Sequence, residues 1–81
     1  MSQPARSLAS LPLGASGVVR AVRSPRAIAR RLMELGLVPG TRVHVTRVAP
    51  LGDPLELHFR NYVLSIRRAE ALFVEIDEPS P

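Results

Sequence analysis

Leu55, Leu57 and Phe59 alternate with Glu56, His58 and Arg60, so every second side chain of this segment is apolar. A strand directs successive side chains to opposite faces, and this pattern makes one dry face and one wet face. Such a strand is unstable alone. Its dry face must be buried by other strands within a chain of only 81 residues, which restricts the fold to a small sheet curled on itself or packed against a helix.

The rest of the chain supplies partners. Val43 and Val45 alternate with Arg42, His44 and Thr46 in a strand over about 41–48, and Pro50-Leu51-Gly52-Asp53-Pro54 is a Pro-bounded turn before the Leu55 strand. Arg60-Asn61 predicts a tight turn, with Asn61 at positive φ, into Tyr62, Leu64 and Ile66 as inward residues. Leu72, Val74 and Ile76 form the inward face of a last strand, while Phe73 runs out of phase with them. Before these, Val18 and Val22 share one face of a short strand.

One segment changes period. Ile28, Leu32 and Leu35 recur at helical spacing beside Ala29, with Arg26, Arg30, Arg31 and Glu34 on the other side. Ser24 is the expected N-cap, with Pro25 in the first helical position. Gly36 stands where a left-handed C-cap belongs, and Pro39-Gly40 prevents resumption. Arg67-Arg68-Ala69-Glu70 reads as one short turn. The sum is a mainly β protein: a small five-stranded SH3-like barrel with one short α-helix between its first and second strands. Residues 11–77 are expected to form the domain, with flexible tails at 1–10 and 78–81.

Composition narrows the function. The chain has no cysteine, which removes disulfides and thiolate metal sites. Nothing approaches the roughly 18 consecutive apolar residues of a membrane span, and the opening residues lack a signal peptide's apolar run. A cytoplasmic protein is expected. All 11 basic residues are Arg and the net charge is +4, which suits an acidic partner or nucleic acid and equally suits a GC-rich coding sequence. The serines Ser7, Ser10, Ser16, Ser24 and Ser65 lie in no nucleophile-elbow sequence, and there is no phosphate-binding Gly-Lys loop. No catalytic set can be assembled, so the chain reads as non-enzymatic.

Arg30-Arg31-Leu32-Met33-Glu34-Leu35-Gly36-Leu37-Val38-Pro39-Gly40, then Ala49-Pro50-Leu51-Gly52-Asp53-Pro54, then Tyr62-Val63-Leu64-Ser65-Ile66-Arg67 resemble, in order, the three motifs of the FeoA family. Asn61 stands where that family often has Gly. The resemblance implies an SH3-like accessory protein of bacterial ferrous-iron uptake, without cofactor, working beside the permease FeoB. Its expected docking site is FeoB's cytosolic GTP-binding part, which would hold the chain at the inner face of the plasma membrane.

Two candidate sites follow from the residues. Leu35, Leu37 and Val38 cannot all face inward around a Gly-capped turn, and Leu51 sits at the tip of a rigid turn. With Asp53 and the helix residues Arg30 and Arg31 they make a candidate partner surface. His44 and His58 are expected to lie opposite one another on outward positions of paired strands, at Cβ separations of ~5 Å, with Glu56 on the same face. That set is a candidate weak ferrous site, and solvated surface residues are its alternative. Two further functions stay open: a small basic barrel that binds nucleic acid, and an iron carrier or sensor. Against the former, the aromatics are only Phe59, Tyr62 and Phe73, with the first two expected inward.

Overall fold

Six antiparallel strands join in one sheet, ordered β1-β6-β2-β3-β4-β5, in a computed structural model that describes residues 6–77. They are β1 (Arg6–Ser7), β2 (Ser16–Val22), β3 (Arg42–Val48), β4 (Leu55–Phe59), β5 (Tyr62–Ile66) and β6 (Val74–Asp77). Helix α1 (Arg26–Glu34) lies between β2 and β3, as expected, and a single turn, α2 (Arg68–Ala71), precedes β6. The sheet curls without closing: β1 and β5 are its edges, yet Leu8 beyond one edge and Ile66 on the other share one core. That core also holds Val19, Leu32, Leu37, Val43, Val45, Leu55, Leu57, Phe59, Val74 and Ile76.

The domain begins earlier than expected. Arg6 and Ser7 pair with Ile76 and Glu75, and Leu8 is fully buried in the short 3-10 turn that follows. A Leu side chain removed from water is worth about 1.5–3 kcal/mol, so these residues belong to the barrel and not to a tail. Residues 1–5 and 78–81 lie outside the described part.

Phase in β2 is set by a bulge. Val19 pairs with Ile76, but Ala21 pairs with Glu75 and Val22 with Val74, leaving Arg20 as the extra residue. The insertion shifts the pleat by one position. Val19 is therefore buried and Val22 packs against the core, while Val18 is only half-buried. The expected pairing of Val18 with Val22 on one face fails for this reason.

The ends of α1 divide the same way. Pro25 is itself the N-cap: its carbonyl accepts from Ala29 N–H at 2.9 Å, so Ser24 lies one residue too early to cap, and its hydroxyl is buried without a hydrogen-bond partner. The C-terminus follows expectation. Leu37 N–H donates to Leu32 C=O and Gly36 N–H to Met33 C=O, both at 3.0 Å, with Gly36 at φ +110°. This is a Schellman motif, and its apolar contact is the buried Leu32–Leu37 pair. Thr41 N–H then closes on Val38 C=O at 3.1 Å across Pro39 and a left-handed Gly40.

The β4–β5 turn is two residues long, since Phe59 pairs with Tyr62. The positive φ, +54°, falls on Arg60 and not on Asn61. An L-residue held there costs about 1 kcal/mol or more. Arg60→Gly is expected to stabilise the fold by about 1 kcal/mol; a urea midpoint unchanged or lowered would contradict this strain.

Two inward assignments also fail. Tyr62 is 62% exposed because it lies at the open end of edge strand β5, with the Phe59 ring 6.1 Å away. Leu72 is 59% exposed because it terminates α2, and the pleat of β6 starts only at Val74.

Candidate functional site

Helix α1 runs alongside the free edge strand β5, and a groove of about 470 Å³ separates them. Arg31, Leu32 and Leu35 form one wall, Leu64 and Ser65 the other, and Pro54 and Glu70 close it. A smaller cleft of about 150 Å³ continues past Leu35 and Leu64 to Tyr62 and Val63. Of the residues lining this cleft, Leu35, Tyr62 and Val63 are exposed large apolar residues, a concentration that marks interaction surfaces. In an antiparallel pair every second residue directs its N–H and C=O away from its partner, so β5 also presents unpaired backbone groups along this edge.

Local structure holds the groove in shape. Arg31 is ion-paired with Glu70, which joins α1 to α2. Asp53 accepts from Arg68 N–H at 3.0 Å, and the Arg68 guanidinium donates to Gly52 C=O at 2.8 Å and Ala9 C=O at 2.6 Å. One side chain thus ties the Pro-bounded turn, α2 and the N-terminal turn together. Each such charge-assisted bond contributes about 1.5–3 kcal/mol.

The expected partner residues part company. Leu35 and Arg31 line the groove. Leu51 projects at the tip of its turn, 96% exposed, where Gly52 N–H closes on Ala49 C=O. Leu37 is fully buried as the second half of the Schellman contact and takes no part. Asp53 is occupied in capping α2. Arg30 is paired with Glu34 at 3.3 Å, and with Val38 it lines a wide depression on the other flank of α1. Reading from sequence missed Tyr62, Val63 and Leu64; the available signal was that β5 is flanked by tight connections on a strand with no later partner.

His44 and His58 are directly opposite in register, as expected. Glu56 does not join them. A bulge brings Arg47 opposite Glu56, and the Glu56 carboxylate accepts from the Thr46 hydroxyl at 3.4 Å. Among the described residues no group of three His, Asp or Glu side chains could hold a metal ion. The donor set is two imidazoles alone, and it does not fit a built ferrous centre. Among the described residues no helix is long and apolar enough to cross a membrane.

Comparison with known proteins agrees with this architecture. The FeoA domain model matches residues 6–78. The FeoA protein of Chlorobium tepidum is 39% identical with a TM-score of 0.87, covering 93% of this chain and 71% of that one. The FeoA of Stenotrophomonas maltophilia, a prokaryotic SH3 domain protein solved in complex with zinc, is 39% identical with a TM-score of 0.80, covering 90% of this chain and 91% of that one. A Porphyromonas gingivalis protein, the Fe(2+) transport protein A/Fe(2+) transporter FeoB fusion protein, is 31% identical over 70 residues, which are 86% of this chain and 8% of that relative. With the sheet order, the Gly36 cap and the match from Arg6 onward all in accord, the chain belongs to the FeoA domain family.

Proposed function

We propose that this chain is a non-enzymatic, cytoplasmic accessory protein of bacterial ferrous-iron uptake that docks on the cytosolic, GTP-binding part of FeoB through the α1–β5 groove. The observation that carries the partner is the Porphyromonas gingivalis relative, which by its name joins transport protein A to FeoB in one chain. Fusion of such a module to its partner holds the two at high effective concentration, which favours an interaction between them. The groove supports the surface: Leu35 and Val63 are 43% and 64% exposed beside an unpaired strand edge. Docking there would place the chain at the inner face of the membrane.

The test is the affinity of the purified chain for detergent-solubilised FeoB of the same organism, with Leu35→Asp and Leu51→Asp as variants. Both sites are exposed, so folding should be retained. Leu35→Asp is expected to weaken binding about tenfold or more by placing a charge in the groove, and Leu51→Asp similarly if the turn belongs to the interface. Retention of native affinity by both variants would move the docking surface elsewhere; absence of native binding would remove the partner. The nucleic-acid reading gains one aromatic, since Tyr62 is exposed after all. It predicts binding that falls steeply with salt, which an apolar groove does not.

A further inference from the structure

At the open end of the β3–β4 hairpin, Arg42 and Arg60 stand beside His44 and His58 around a cavity of about 450 Å³. The register makes this a stack of two like pairs. His44 is paired with His58, and continuing the ladder by two residues sets Arg42 across from Arg60. All four side chains are exposed on the outward face. Like charges directly opposite on adjacent strands repel, and proteins usually place a carboxylate between them.

Among the described residues none intervenes: no described Asp or Glu lines the cavity. The described carboxylates of β4 and β6 are engaged: Asp77 on β6 pairs with Arg20 at 3.5 Å and Glu75 with Arg23, and Glu56 on β4 is held by Thr46. Across β4, His58 faces Val63 of β5, and across β3, His44 faces Ser16 of β2. Among the described residues, neither the Arg42 nor the Arg60 guanidinium has an ion pair or hydrogen bond.

A second observation is independent of the charges. Arg60 is the one described non-glycine residue at positive φ, +54°. A glycine there would relieve the backbone, yet the position is an arginine that lines the same cavity as Arg42. Strain of this kind persists where a side chain is needed in a set place.

We propose that this end of the hairpin is a phosphate-binding site, with Arg42 and Arg60 as the clamp and the His44 and His58 rings as further donors. Guanidinium forks match phosphate oxygens, and a tetrahedral anion offers acceptors to both strands at once. A single carboxylate satisfies one fork and leaves the other unmet. The volume lies in the range of small-molecule sites, so there is room for a phosphate and the group that carries it. The site uses different residues from the docking groove, apart from the Phe59 ring that lies beneath both.

The test is an NMR titration of backbone amides with inorganic phosphate and, separately, with adenosine monophosphate. Ionic strength is held constant with sodium chloride. Saturable shifts confined to residues 40–44 and 58–60 are expected with both probes. Tighter binding of the nucleotide would identify a phosphorylated small molecule as the ligand, and equal binding would identify free phosphate. Arg42→Gln with Arg60→Gln is expected to weaken either at least about tenfold. Arg60→Gly alone should also weaken binding while stabilising the fold, so that loss of affinity cannot be assigned to unfolding. Shifts that are linear in concentration and the same with chloride, or native affinity in these variants, would overturn the site.

Discussion

Phe59→Ala is expected to remove about 3–5 kcal/mol of stability, the largest effect of any single truncation in this protein. Phe59 is the largest of the fully buried side chains, 2% exposed. It lies on β4, the strand between β3 and edge strand β5, and its ring packs under the turn that ends α1. Truncation loses the transfer energy of the ring and leaves a cavity that neither a sheet nor a capped helix end can easily fill. Small domains hold only about 0.05–0.15 kcal/mol per residue in total, so the variant should be substantially unfolded at modest denaturant. Urea unfolding followed by circular dichroism measures this. A loss below about 1 kcal/mol would mean that the turn collapses onto the vacated space and that the core is far more plastic than its burial indicates.

Gly36→Ala is the second large effect, at about 2–3 kcal/mol. Two causes add. The residue sits at φ +110°, where an L side chain costs roughly 1–2 kcal/mol. A Cβ there would also come 3.0 Å from Phe59 Cε2, closer than packed atoms tolerate, so the ring or the turn must shift. The two causes separate in a double-mutant cycle with Phe59→Leu. The steric part should disappear with the ring, while the backbone part remains. Equal losses from Gly36→Ala in both backgrounds would show that backbone strain alone is responsible.

The two predictions meet at the junction that also shapes the candidate site. Gly36 reverses the chain so that Leu37 enters the core and Leu35 stays on the surface, 43% exposed. One left-handed residue thus decides which leucine packs and which is offered to a partner. The sequence pattern identified the cap and required that one of Leu35, Leu37 and Val38 be exposed, but not which. The hydrogen bond from Leu37 N–H to Leu32 C=O supplies the answer.

Similar reasoning applies at Arg60. Arg60→Gly is expected to give a more stable protein that binds phosphate less well. A residue that is costly to the fold and useful to a site is a familiar compromise at functional positions.

What the sequence alone determined were the features that rest on neighbours in the chain. The alternation in β3 and β4, the helical stripe, the Gly36 cap, the Pro-bounded turn and the opposed histidines follow from period and turn chemistry, which act over a few residues. What only the tertiary structure decided were matters of phase and distant contact. The bulge at Arg20 and the one before Arg47 shift side chains between faces, and no local preference marks them. Leu8 is buried because β6 receives Arg6 and Ser7, almost seventy positions away. Tyr62 is exposed because β5 has no further strand to cover it, and Arg42 reaches Arg60 only once β3 and β4 are in register. Local sequence sets which elements form; burial, and with it every candidate site, depends on which elements meet, and that is settled by the long-range pairing of the whole sheet.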